Sequence, residues 1–150
     1  MNDSFKRASG RKVISRATAQ DVGAISHLLV DTERRAVVAL IIGKGKRAEL
    51  FDWDQVTGFG PDAVLVAEQG ALRAPADDHE RLAASGGLDL VGKRALSEKG
   101  TNLGAIDDVS FDPSTGVLDV IHIGDREISA RALLGHGSYA AVLDADEASS

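Results

Sequence analysis

Gly23-Ala24-Ile25-Ser26-His27-Leu28-Leu29-Val30-Asp31, running on through Val37-Val38-Ala39-Leu40-Ile41-Ile42 to Gly43, decides how this chain is read, because its markers occur twice. Gly23-Ala24-Ile25, Asp31 and Gly43 return as Gly104-Ala105-Ile106, Asp112 and Gly124, all displaced by 81 positions. Upstream, Gly10-Arg11-Lys12-Val13-Ile14-Ser15 aligns with Gly92-Lys93-Arg94-Ala95-Leu96-Ser97 at 82. Downstream, residues 51–66 align with 128–143 at 77, which places Gly58, Gly60 and Ala63 on Gly135, Gly137 and Ala140. The four-residue shortening falls between Gly43 and Phe51, where Lys44-Gly45-Lys46-Arg47 reads as a loop tip, the place where deletions are tolerated. Three collinear blocks with small offsets between them indicate an internal duplication.

Each copy reads as short strands. Residues 37–42 form an apolar, β-branched-rich run, too short for a typical helix and closed by Gly43, so a buried strand is expected. Its counterpart, 117–123, is interrupted by Asp119 and His122. Asp31 and Asp112 precede the two runs, and Pro113 with Gly116 is tight-turn chemistry, so both aspartates are read as turn residues. Five or so strands in about 60 residues suggest a small closed barrel, which would leave no free sheet edge. Asp52-Trp53-Asp54-Gln55-Val56 is expected to form one helical turn plugging a barrel end. The expected organisation is all-β: one barrel over residues 8–67, a linker with a short helix over 68–89, and a second barrel over 90–146. In the linker, Pro75 precedes a helix over 76–85 with acids in its first turn, and Gly86-Gly87 ends it.

Bulk properties narrow the function classes. The chain of 150 residues has 43% hydrophobic and 27% charged residues, enough for a packed core under a polar surface. It has no cysteine, which removes disulfides, thiolate metal sites and a thiol nucleophile, and fits a cytoplasmic location. Residues 1–10 are polar and read as neither signal peptide nor anchor. The longest apolar run, Ala36–Ile42, falls far short of a membrane helix, so no membrane insertion is expected. Net charge is −6, split as +2 over residues 1–66, −3 over 67–89 and −5 over 90–150, which argues against direct nucleic-acid binding.

The first copy resembles a PRC-barrel domain along its length. The resemblance rests on Gly10-Arg11-Lys12-Val13-Ile14-Ser15, Gly23-Ala24-Ile25, Leu29-Val30-Asp31, the strand 37–42, Phe51-Asp52-Trp53-Asp54-Gln55-Val56 and Gly60-Pro61-Asp62-Ala63-Val64-Leu65-Val66. The second copy keeps the Gly-Lys start, Gly104-Ala105-Ile106 and Asp112 but has Ala130 where Trp53 stands. The family includes the cytoplasmic domain of the photosynthetic reaction-centre H subunit and the C-terminal domain of a ribosome-maturation factor. The resemblance therefore implies a protein-docking adaptor without enzymatic activity or cofactor. An accessory factor that binds a ribosomal protein is the alternative, and a small-ligand binder or enzyme using the groove between barrels ranks last.

Candidate sites follow from residue types. The four histidines, His27, His79, His122 and His136, lack metal-ligand spacing, so no metal is expected. Asp107 and Asp108 read as a solvated strand end, and Gly43-Lys44-Gly45-Lys46 lacks the spacing of a phosphate loop. Trp53 is read as a packing anchor, and Gly23, Asp31, Gly43, Gly104, Asp112 and Gly124 as structural positions. Arg34, Arg35, Lys44, Lys46 and Arg47 are the main basic groups of the first copy and a candidate surface for an acidic protein partner or for the acidic second copy. Both faces of the 37–42 strand are apolar, against the alternation of a strand with one wet face. Its outer face is therefore expected to be covered, by the other barrel, the linker helix or another subunit, and Val38, Leu40 and Ile42 become candidate protein contacts, including contacts of a homo-oligomer.

Overall fold

The structure, a computed structural model, describes residues 2–144. The chain begins with β1 (Asp3–Ser4) and the single-turn α1 (Phe5–Ala8). The first half follows with β2 (Lys12–Ser15), β3 (Asp21–Asp31), β4 (Ala36–Ile42), β5 (Glu49–Asp52), β6 (Val56–Phe59) and β7 (Val64–Val66). The linker carries α2 (Asp78–Ala84). The second half has β8 (Arg94–Ser97), β9 (Asn102–Ala105), β10 (Asp108–Phe111), β11 (Leu118–Ile123), β12 (Arg126–Ser129), β13 (Leu133–His136) and β14 (Ala140–Leu143). The class is all-β, in three sheets ordered β5-β4-β3-β2-β7-β6, β1-β10-β11-β12 and β13-β14-β8-β9.

Among the described residues no sheet closes into a barrel, which corrects the expected closed barrels. In the second half the strand equivalent to β3 is broken into β9 and β10, which lie in different sheets, and in the first half the reason lies in β3 itself. Its start pairs with β2 through Ala24, and from Ile25 onward it pairs with β4. Ser26 is the extra residue at that handover, and its hydroxyl lies 2.9 and 2.7 Å from the carbonyls of Ile41 and Gly43. A strand that changes partner at a bulge bends one sheet into two layers. The outer strands of those layers, β5 and β6, are joined by the 3-10 turn Trp53–Gln55 and not by a ladder.

The pairing order of the first half recurs in the second. β2 pairs antiparallel with β3 and parallel with β7, and β8 does the same with β9 and β14. Val13 opposite Gly23 and Val64 corresponds to Ala95 opposite Gly104 and Ala141. Loop bonds recur as well: Arg16 N–H donates to Val66 O and Gly60 N–H to Ala63 O, as Glu98 N–H does to Leu143 O and Gly137 N–H to Ala140 O. Gly23 and Gly104 share a role. A Cβ on the first would lie 2.4 Å from Ile42 Cγ2, and on the second 3.2 Å from Ile123 Cγ2.

The halves meet about a local two-fold. Ala36 bridges Val117, Val37 N–H donates to Gly116 O and Leu118 N–H donates to Arg35 O, both at 2.8 Å. Exchanging positions 81 apart turns one of these bonds into the other. One core cluster runs through both halves, with Val13, Leu40, Phe51, Val109, Phe111, Ile121 and Leu143 among its members. An aromatic line crosses it: Trp53 stacks on Phe59 at 5.7 Å, Phe59 meets Phe111 edge-on at 5.3 Å, and Phe111 meets Phe5 at 5.6 Å.

The amino-terminal segment lies outside the expected first domain, yet it is part of the fold. β1 pairs with β10 of the second half, and Phe5 and Ala8 are buried. Arg11 ties it back to the first half. Its guanidinium holds both Asp3 oxygens, donates to Gly60 O at 3.0 Å and to Arg7 O at 3.2 Å, and lies 5.5 Å over the Phe59 ring. Burial raises the Asp3 carboxyl pKa, but the hydrogen bonds from Arg11 and Ser4 N–H, with the charges of Arg11 and Arg7, together hold it below the ordinary range.

The outer face of β4 is covered by the linker. Leu29, Ala39, Ile41 and Leu50 form a second cluster with Ala83 and Ala84 of α2 and with Leu88, and Val38 packs half-buried at its margin. α2 starts at Asp77, whose side chain accepts from Glu80 N–H at 2.8 Å. Arg73 locks the linker down. Its guanidinium binds both Glu80 oxygens at 2.7 Å and both Asp52 oxygens at 2.8 and 3.1 Å. These bonds, the Glu80 pair foremost, raise the Arg73 pKa, and the Arg73 hydrogen bonds are the largest cause holding Glu80 down at about 2. Ionised Glu80 therefore contributes fully above its ordinary value of 4.5, and that contribution is lost as pH falls toward 2. Glu80→Gln is expected to cost about 2 kcal/mol at pH 7. Its stability should also fall less steeply than wild type between pH 4.5 and 2, checked by urea unfolding across that range.

Candidate functional site

The basic groups named from sequence do not form one patch. Arg34 and Arg35 sit at one end of β4, and Lys44, Lys46 and Arg47 at the other, beyond a seven-residue strand that spans about 23 Å. Arg35 is also committed, its Nε donating 2.9 Å to Leu133 O across the junction of the halves. Arg34 stays near Asp31 at 3.8 Å, and Lys44, Lys46 and Arg47 stand exposed at a 3-10 tip. Leu40 and Ile42 are buried in the chain's own core, so the apolar contacts assigned to them are met inside the molecule, and Val38 alone of the three is partly accessible.

The structural positions carry local geometry. Asp31 accepts from the N–H groups of Glu33 and Arg34, and Asp112 from the N–H and hydroxyl of Ser114, so each aspartate folds its own turn. Hydrogen bonds from Ser114 lower the Asp112 carboxyl pKa. Gly43 and Gly124 follow the last residues of β4 and β11. Trp53 opens the 3-10 turn and packs on the core. Asp107 accepts from Gly124 N–H, and Asp108 from Lys6 N–H and Val109 N–H, which spends both on backbone.

One histidine has a structural role that sequence spacing did not show. His27 Nδ1 lies 2.9 and 3.0 Å from the Asp89 oxygens, tying the end of the linker to β3. This pair borders a cavity of about 330 Å³ floored by Phe5, Ile25, Leu28 and Leu90. Ser26, also in its wall, faces the two carbonyls named above, and His27 makes no hydrogen bond to a hydroxyl among the described residues. The nucleophile–base contact of a hydrolytic site is therefore not formed there. His136 is pushed down to about 4 by burial, so its ring is neutral at neutral pH. No group of three or more histidines and carboxylates that could hold a metal ion occurs among the described residues.

The clearest asymmetry lies on the outer faces of the two halves. Leu29, Ala39, Ile41 and Leu50, sealed under α2, correspond to Ser110, Val120, His122 and Glu127. These four belong to the sheet β1-β10-β11-β12; the first three are half-buried and Glu127 is exposed. Asp119 and Asp125 flank them on the β11–β12 hairpin, both exposed. Arg126, the one basic residue of that hairpin, turns away to donate to Leu103 O at 2.6 Å. The face is thus acidic, accessible and built on strands. Only Asp119 and His122 of it were marked in the sequence, as interruptions of a strand.

No protein-family model matches the chain, and no curated protein matches it. No helix among the described residues is long and apolar enough to cross a membrane.

Proposed function

We propose that the chain is a non-enzymatic, cytoplasmic docking protein built from two PRC-barrel-like modules locked face to face, with the outer face of the second module as its docking surface. One observation carries this reading: equivalent faces of the two halves have opposite character, the first sealed by the chain's own linker and the second left open and acidic. The shared core holds that face in a fixed orientation to the rest of the molecule. Interfaces of this kind gain specificity and encounter rate from charge complementarity, so the favoured partner surface is basic.

The test is affinity capture from cells of the source organism, quantified by mass spectrometry at rising salt. Wild type is compared with Val120→Lys on the open face and with Lys46→Glu on the exposed tip of the first half. The expected result is a set of proteins lost with Val120→Lys, kept with Lys46→Glu, and weakened by salt. Identical sets for all three proteins, or nothing above the bare matrix, would overturn the reading. Enrichment of ribosomal proteins in the lost set would favour an accessory role at the ribosome.

A further inference from the structure

The linker shows how the edge of the first half is completed. Leu50 on β5 donates its N–H to Arg73 O at 2.7 Å and accepts from Arg73 N–H at 2.9 Å, an antiparallel bridge added outside the sheet. The position equivalent to Leu50 is Glu127 on β12. β12 ends its sheet, and among the described residues nothing bridges its outer side. The two halves therefore carry the same edge, occupied in one and vacant in the other.

Resting on the docking reading above, we propose that the β12 edge accepts an extended, basic segment of a partner protein as an added strand, in the place Arg73 takes on β5. Backbone pairing at Glu127 supplies the docking geometry, as in other strand additions. Charge supplies the selectivity. At the first edge the added residue is an arginine held by carboxylates, Asp52 on the neighbouring strand and Glu80. At the second edge Asp52 is replaced by Ser129, and the carboxylate moves to Glu127 itself. Glu127 and Asp125 make no ion pair among the described residues, and Asp119 meets only the neutral amide of Asn2. A lysine or arginine beside the added backbone would neutralise them. A second copy of this chain is a poor occupant, because antiparallel pairing of β12 on itself about Glu127 would set like charges opposite each other.

The experiment titrates the full-length, isotope-labelled protein with an acetylated hexapeptide alternating valine and arginine, read by amide chemical shifts and hydrogen exchange. An alternating valine–glutamate peptide and a backbone N-methylated copy of the basic peptide serve as controls. The basic peptide should shift the amides of residues 126–129 and slow exchange of the Glu127 amide, and neither control should. Glu127→Lys should weaken binding about tenfold, and Glu127→Pro, which removes the outward N–H, should weaken it further. Unchanged shifts with either variant confined to residues away from β12 would show that the fold is intact.

Strand addition is overturned by no shift at millimolar peptide, by shifts mapping elsewhere, by equal binding of the N-methylated peptide, or by a wild-type dimer that Glu127→Pro makes monomeric. Loss of captured proteins with Val120→Lys would still support the docking reading if the peptide failed, so the two failures are separable.

Discussion

Arg11→Met is expected to destabilise the protein by about 3–5 kcal/mol, the usual cost of breaking a buried ion pair from one side. Only 7% of the Arg11 side chain is exposed, and it serves Asp3, Gly60 and Arg7 at once while covering the Phe59 ring. Methionine keeps much of the apolar stem. It leaves the Asp3 carboxylate, 12% exposed, with Ser4 N–H and a distant Arg7 as its remaining partners. For a chain of this size the melting temperature should fall by about 10 °C. The double variant Asp3→Asn with Arg11→Met should recover part of the loss, since the stranded charge is gone. Lys93, the equivalent residue, bonds among the described residues the carbonyls of Gly87 and Ser138 and no carboxylate, so Lys93→Met should cost about 1 kcal/mol. Calorimetry on the four proteins decides it; equal melting temperatures for Arg11→Met and wild type would refute the role given to Arg11.

Gly116→Val should cost about 3–4 kcal/mol, from two sources that can be separated. Gly116 has φ of +80°, where a β-branched residue is strongly disfavoured, at about 1–2 kcal/mol. The remainder is contact: a Cβ there would stand 2.8 Å from Val37 O and 3.1 Å from a Trp53 ring carbon. Relief by backbone movement would pull Gly116 O from Val37 N–H and loosen the junction of the halves. Gly92→Val provides the comparison, with φ of +85° and no atom within 4 Å of the added carbon. Chemical unfolding of both should show Gly116→Val as the costlier by about 2 kcal/mol. Equal losses would mean that the contact with Val37 and Trp53 contributes nothing.

Much of the topology was legible because duplication leaves a register. The displacements of 82, 81 and 77 match the observed strand partners since length changes fell in tips, between Ser15 and Asp21 and at Lys44-Gly45-Lys46-Arg47, and not inside ladders. The covered outer face of β4 was legible from its unbroken apolarity. The identity of the cover was not, because Ala83 and Ala84 are weak hydrophobic signals in a helix that otherwise reads as polar. Barrel closure was misjudged because edge pairing is set by how β3 bends at Ser26, and no residue pattern announces that bend. β1 is two residues long and shows no periodicity, and Arg73 finds carboxylates 21 and 7 positions away. The division of the basic groups, by contrast, was implicit in the strand itself: seven extended residues between two turns must hold those turns apart.

The exchange of hydrogen bonds between residues 35–37 and 116–118 has a consequence for how such a molecule can change. In a dimer of identical chains every substitution appears on both sides of the axis, so a charge placed on one outer face is placed on the other. With the two sides written separately in one chain, Ile41 can remain under its helix while His122 faces water. Assembly also ceases to depend on dilution, because the second half is always present at the first. The geometry of a pair is kept, and the obligation to be identical is removed.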